Sequence, residues 1–226
     1  MKYNLFLFDL DDTLLDFRAS EKLSFERCLE ALSIPASEPL FATYQVENRE
    51  LWRQFEEGKT TKDELKVERF RKTFALHSID ADPEMASHRY LEALPQTVVL
   101  IDHAVEILDW LKGKGEIGII TNGIHHTQTQ RIQNSPLGQY ISFVCVSEEC
   151  GFAKPDVRFF EYSAKRAKSF QKHSSLVIGD RFEADILGAH RFGVDSVWFN
   201  PQKKDRPEEP IPSYEITHLS EMRKFI

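Results

Sequence analysis

Cysteine is scarce in this 226-residue chain: Cys28, Cys145 and Cys150 are the whole complement. An odd number with no CxxC pair excludes a disulfide framework and a cysteine zinc or redox site, and points to free thiols in a reducing compartment. Positive charge is also short. The 29 Lys and Arg against 36 Asp and Glu leave a net charge of −7, which argues against broad adhesion to a nucleic-acid backbone but leaves room for a small anion in a local pocket. Long apolar runs are missing. The run from Tyr3 to Phe8 is stopped by Asp9, too short to span a membrane and too soon acidic for a signal peptide. Neither internal repeats nor low-complexity tracts are present. The expectation is a cytoplasmic globular protein, monomer or small homo-oligomer, with neither a membrane nor a nucleic-acid polymer as partner.

What is present changes texture along the chain. Residues 3–8 form a continuous apolar run, as in a strand covered on both faces. From about Asp16 to Leu94 the apolar spacing turns helical, with Leu23, Phe25, Cys28, Leu29 and Leu32, then Phe41, Tyr44, Leu51, Trp52 and Phe55. Thr61-Lys62-Asp63-Glu64 has the form of a capping box ahead of Leu65, Val67, Phe70 and Phe74, and Asp82-Pro83 can cap a fourth helix. From Asp102, itself a candidate cap, helices alternate with apolar strands at 117–120, 143–146, 176–178 and 196–199, with an edge strand near 214–217. A helix is expected from about Thr127 and another over 184–192. Such alternation predicts an α/β fold, a Rossmann-like core with a mostly parallel sheet. The predicted organisation is a core of residues 1–16 and 95–226, with a small helical domain of residues 17–94 inserted after the first strand.

In a parallel sheet, ligands bind beyond the carboxyl ends of the strands. Asp9 and Asp11 follow the first strand; Thr121, Asn122 and Gly123 follow the second; Lys154 lies in a later loop; Gly179, Asp180 and Asp185 follow another strand. Up to four carboxylates in one crevice require a cation. An oxygen-only donor set without a His or Cys pattern fits Mg²⁺ rather than Zn²⁺. Thr121 offers a hydroxyl, Asn122 and Gly123 offer backbone N–H groups before a helix, and Lys154 offers a point charge, all suited to a phosphoryl group. The expected chemistry is nucleophilic attack on phosphorus by Asp9, with Asp11 as proton donor and then acceptor.

These segments, Asp9-Leu10-Asp11-Asp12-Thr13, Thr121-Asn122-Gly123, Lys154-Pro155-Asp156 and Gly179-Asp180 with Asp185, resemble the four motifs of the haloacid-dehalogenase-like hydrolases in order and spacing. The resemblance implies a Rossmann-like core with a C1-type helical cap. It implies Asp9 as nucleophile, Asp11 as acid/base, and a Mg²⁺ held by Asp9, the backbone carbonyl of Asp11, and Asp180. Asp185 would support the metal, through water, or orient Lys154, while Thr121 and Lys154 would bind the phosphoryl group. Trp198-Phe199-Asn200-Pro201 and Asp185-Ile186-Leu187-Gly188-Ala189 further resemble the pyrimidine 5′-nucleotidase subgroup, so the expected partner is a small phosphorylated metabolite, a (deoxy)nucleoside monophosphate. Alternatives are a sugar-phosphate phosphatase, for example on an acylneuraminate phosphate, and a 2-haloacid dehalogenase, against which Asp11 and Asp180 speak. Arg181 stands where the subgroup more often has a small residue.

Several residues carry plainer expectations. Asp12 is expected to cap or turn the chain and Thr13 to support the loop. His125 and His126, adjacent on a helix, diverge and make a poor chelate. Trp52 and Phe55 are expected in the core, Phe17 and Arg18 near the hinge, and 203–206 in a solvated loop.

Overall fold

The computed structural model of the chain describes residues 2–226, the side chain of Glu56 excepted. It divides into two compact units, Met1–Phe17 with Val99–Ile226, and Arg18–Val98.

The first unit is built on strands β1 (Leu5–Phe8), β2 (Glu116–Thr121), β3 (Phe143–Val146), β4 (Ser175–Gly179), β5 (Asp195–Phe199) and β6 (Tyr214–Ile216). They form one six-stranded sheet in the order β3-β2-β1-β4-β5-β6. Every neighbouring pair is parallel, including the edge strand β6, so the sheet is parallel throughout rather than mostly so. The strand order reverses direction beside β1, and a crevice at the carboxyl ends follows from that reversal. All four residues of β1 are buried because helices cover both faces. On one face Leu5 and Leu7 join Ile120, Phe159, Phe160, Val177 and Phe192 in a single apolar cluster.

The helices of this unit are α5 (Ala104–Lys112), α6 (His125–Gln133), α7 (Ser147–Cys150), α8 (Val157–Arg166) and α9 (Leu187–Phe192). One local expectation fails here. Asp102 does not cap α5: the N-cap is His103, in the left-handed region at φ 66, with no side-chain capping bond. The helix expected over 184–192 is present, and it opens as a π-helical turn, Phe182–Ile186, that runs into α9. A π-turn carries an extra residue per turn and rotates the residues it holds; here it delivers Asp185 to the interior, fully buried.

The second unit contains most of α1 (Phe17–Ala31), with α2 (Glu38–Glu56), α3 (Lys62–Leu76) and α4 (Pro83–Ala93). Thr61 forms the expected capping box with Glu64, and Asp82 accepts from the Glu84 N–H at 2.9 Å. Phe25, Tyr44, Phe70 and Tyr90 pack ring against ring, 4.6 to 6.3 Å apart. Leu23, placed in the apolar stripe by its spacing, is 44% exposed. Trp52 and Phe55 are half-buried and in edge contact with each other, not core. Inside this unit the Arg69 guanidinium is buried above Tyr90 and bonds Asn48, which in turn bonds Glu21.

The two chain segments that leave and re-enter the first unit run side by side. Asp16 N–H donates to Val99 O at 2.9 Å and Ile101 N–H to Leu14 O at 3.0 Å. Burial pushes the thiols of Cys28 and Cys145 up, to about 12 and about 11, so neither is a thiolate near neutrality. Among the described residues no helix is long and apolar enough to cross a membrane.

Candidate active site

Strand β1 ends at Phe8 and hands Asp9 to the crevice, where it is 7% exposed. Strand β4 ends at Gly179, and Asp180 follows on the neighbouring strand's carboxyl end. Asp9, Asp180 and Asp185 each place a carboxylate oxygen within 4.8 Å of the other two. Lys154, 2% exposed, reaches into this group: its Nζ donates to Asp9 Oδ1 at 2.5 Å, Asp185 Oδ1 at 2.7 Å and Ile120 O at 2.8 Å. Thr13 ties the first loop to the last, its hydroxyl donating to Asp9 Oδ2 at 3.4 Å and accepting from Asp180 N–H at 3.1 Å.

The electrostatics of the cluster follow from burial and crowding. Asp9 is pushed up to about 7 by burial first and by Asp185 and Asp11 next, against the opposing pull of Lys154. Asp180 is raised well above the carboxylate range by burial and then by Asp9 and Asp185. Burial works to lower Lys154, yet Asp185 and Asp9 outweigh it and hold the ammonium above its usual value. One lysine does not neutralise three carboxylates, and Asp180 Oδ1 is buried with no hydrogen-bond partner among the described residues.

Glycine makes this packing possible. A Cβ on Gly179 would lie 2.2 Å from Asp185 Oδ2, a carboxylate fixed by Lys154 and by the Arg181 N–H at 3.1 Å. Gly179→Ala is therefore expected to expel Asp185 from its seat, with a loss of stability of about 1–3 kcal/mol. A urea-unfolding midpoint equal to that of the unaltered chain would contradict it.

The side chain of Asp11 stands outside this trio. Its Oδ2 accepts from Gln128 Nε2 at 2.6 Å, and its Oδ1 is ion-paired with Arg131 Nη1. Only the Asp11 carbonyl is then left for the metal role that the resemblance implies. Thr121, at the end of β2, is buried, and its Oγ1 accepts from Gly123 N–H at 3.1 Å and from Gln128 Nε2 at 3.0 Å. The Gly123 N–H expected to face a phosphate is thus turned onto Thr121. The Asn122 side chain is tied to the lysine backbone: it donates to Lys154 O at 3.0 Å and accepts from Lys154 N–H at 2.8 Å. Asp12 Oδ1 accepts from Phe17 N–H at 3.0 Å, the capping role expected of it. His125 and His126 are exposed.

Gln128 and Arg131 were not singled out by their sequence. A Gln and an Arg three apart on a helix read as a solvated face. The available signal was the glycine at 123, since a Cβ there would sit 2.3 Å from Gln128 Nε2.

Residues 6–199 match the family described as haloacid dehalogenase-like hydrolase. The chain belongs to that family. The chain is 33% identical over 217 residues to the pyrimidine 5′-nucleotidase PynA of Streptococcus pneumoniae, covering 96% of this chain and 92% of that one. It is 29% identical over 226 residues to the pyrimidine 5′-nucleotidase YjjG of Escherichia coli, covering 100% and 99%. The crystal structure of the family hydrolase YfnB of Bacillus subtilis, bound to magnesium, superposes with a TM-score of 0.93 at 38% identity over 99% of this chain and 98% of that one. This haloacid dehalogenase-like hydrolase thus shares its Rossmann-like α/β fold and its helical second unit with a full-length relative.

Proposed function

We propose that this hydrolase is a Mg²⁺-dependent phosphomonoesterase that forms an aspartyl phosphate on Asp9 and acts on pyrimidine (deoxy)nucleoside 5′-monophosphates. The observation that carries this reading is the trio Asp9, Asp180 and Asp185 gathered beside Lys154, with Asp180 Oδ1 buried and unpartnered. The donor set is oxygen only, and a hard divalent cation supplies both the missing partner and the missing charge, so the residues fit Mg²⁺. Asp9, Asp180 and the Asp11 carbonyl would hold it, with Asp185 behind. When bound, Mg²⁺ supplies charge neutralisation for the carboxylates and the transferring phosphoryl group.

The chain's own residues then divide the work. Asp9 attacks phosphorus, forming an Asp9–phosphorus bond as the ester oxygen departs. Asp11 gives its proton to that oxygen. A water next attacks phosphorus, Asp11 takes the proton from it, the bond to Asp9 breaks, and inorganic phosphate leaves. Lys154 holds Asp9 and offers positive charge to the phosphoryl oxygens, and the Thr121 hydroxyl donates to another. The helical unit, residues 18–98, serves in this reading as the cap. The nucleotide preference is supported by similarity along the whole chain to two proteins named as pyrimidine 5′-nucleotidases. Dehalogenation would leave Asp11 and Asp180 without a task.

The test is phosphate release from a panel of nucleotides and sugar phosphates with Mg²⁺. We expect kcat/KM on dTMP or dUMP at least about tenfold above any sugar phosphate, a difference of ~1.4 kcal/mol in transition-state binding, and complete silencing by EDTA. Faster turnover of sugar phosphates would overturn the nucleotide assignment; activity that survives EDTA would overturn the metal assignment.

A further inference from the structure

Arg131 is an expensive residue. It is wholly buried, and its Nε and Nη2 have no hydrogen-bond partner among the described residues. A buried guanidinium with unused donors costs stability, so its presence calls for a purpose other than holding the fold together. Its one acidic partner among the described residues is Asp11. Its Nη1 also donates to Gln128 Oε1 at 2.9 Å, and the ring of Phe17 lies 5.5 Å from the guanidinium.

Gln128 completes the arrangement. With Oε1 taken by Arg131, its amide can present only Nε2 to the other side, where it donates to Asp11 Oδ2 and to Thr121 Oγ1. Thr121 Oγ1 already accepts from Gly123 N–H. Two accepted bonds occupy the lone pairs of the hydroxyl, so its own proton is turned to a third direction, as a donor. One side chain on α6 therefore sets both the carboxylate of Asp11 and the polarity of the Thr121 hydroxyl. Asp11 follows β1 and Thr121 ends β2; the geometry of both functional groups is borrowed from a helix.

We propose that Arg131 and Gln128 are positioning residues that clamp Asp11 for proton transfer to the leaving group, with Gln128 also fixing Thr121 as a donor to the phosphoryl group. The inference rests on the phosphomonoesterase reading above. The clamp acts on the step in which the ester oxygen leaves. Its loss is felt where that oxygen needs a proton and hardly where it does not.

The test compares phenyl phosphate with 4-nitrophenyl phosphate, two esters of nearly the same shape. Phenol, with a pKa near that of tyrosine at ~10, leaves poorly without a proton; nitrophenolate leaves readily as the anion. The quantity is kcat/KM, which covers events only through formation of the aspartyl phosphate. Their ratio is independent of how much of a variant is folded. Misplacing a catalytic group by about 1 Å costs on the order of 10²-fold. Arg131→Met is expected to lower kcat/KM on phenyl phosphate about 10- to 100-fold and on the nitrophenyl ester less than about 3-fold. Arg131→Lys should recover part of the ratio. In an Asp11→Asn background the ratio should already be low, and adding Arg131→Met should not move it further, because the two act through one carboxylate. Gln128→Leu, which also releases Thr121, should depress both esters as well as the ratio. Equal loss of both esters in Arg131→Met, or a further fall of the ratio in the Asp11→Asn background, would overturn the clamp. No hydrolysis of either ester by the unaltered chain would instead end the phosphomonoesterase reading, and the clamp with it.

Discussion

Asp9→Asn is expected to abolish phosphate release from 4-nitrophenyl phosphate, by at least about 10³-fold in kcat, because the substitution removes the carboxylate proposed to attack phosphorus. The same variant should fold as well as the unaltered chain or better. Lys154 keeps two acceptors without Asp9, the Asp185 carboxylate at 2.7 Å and the Ile120 carbonyl at 2.8 Å. Asp9 is also a group raised to about 7 by burial and by its acidic neighbours. A carboxyl whose pKa is raised on folding opposes folding at any pH above its unfolded value, and the opposition vanishes as pH falls below that value. A neutral amide removes the cost. In Mg²⁺-free buffer near pH 8 the urea midpoint of Asp9→Asn should therefore equal or exceed that of the unaltered chain. Retention of full activity would remove Asp9 from the reaction. A collapse of the midpoint would mean that Asp9 is first a structural partner of Lys154.

Lys154→Met should do the opposite on both counts. Asp9, Asp180 and Asp185 would remain crowded in one buried crevice, with the ammonium that bonds two of them gone. Removing one partner of a buried ion pair strands the other, at a cost of about 3–5 kcal/mol. The expectation is a marked fall of the urea midpoint in EDTA, partly restored by millimolar Mg²⁺, because a cation that binds only the folded state stabilises it by mass action. Activity should fall on the order of 10²–10³-fold, the usual loss when a charge-stabilising donor is removed from a preorganised site. An unchanged midpoint in EDTA would show that the carboxylates do not rely on Lys154. A midpoint insensitive to Mg²⁺ would show that they do not form a cation site.

Taken together, the two variants separate the roles of neighbouring residues that a static picture shows only as a bonded pair. One removes negative charge from a crevice that has an excess of it, and the other removes its buried positive charge. Their stabilities move in opposite directions while their activities fall together. A purely structural ion pair would give loss of stability in both.

The residues that end strands were legible in the sequence because the sheet is parallel. Once an apolar run is recognised as a strand, its next polar residues must lie at the carboxyl edge. By that rule alone Asp9 and Asp180 follow β1 and β4, and Thr121 stands at the end of β2. The helical unit was legible as well, since its apolar spacing and its caps at Thr61 and Asp82 are local signals. One local signal failed. Asp102 has the chemistry of a cap, yet the chain places His103 there. The helix expected over 184–192 forms, but its opening π-turn at Phe182–Ile186, which brings Asp185 against Lys154, was not legible.

The sequence by itself determined the doubly wound sheet, the inserted helices and the carboxylates that can meet at one edge, because periodicity and strand ends are properties of neighbours along the chain. Only the tertiary structure decided the division of labour within the crevice. It set Asp185 on Lys154, bonded Asp11 to Arg131 and Gln128, and tied Asn122 to the lysine backbone. Those choices depend on distances of a few ångströms between segments more than 30 residues apart, and hydrogen bonds and desolvation are decided at that range.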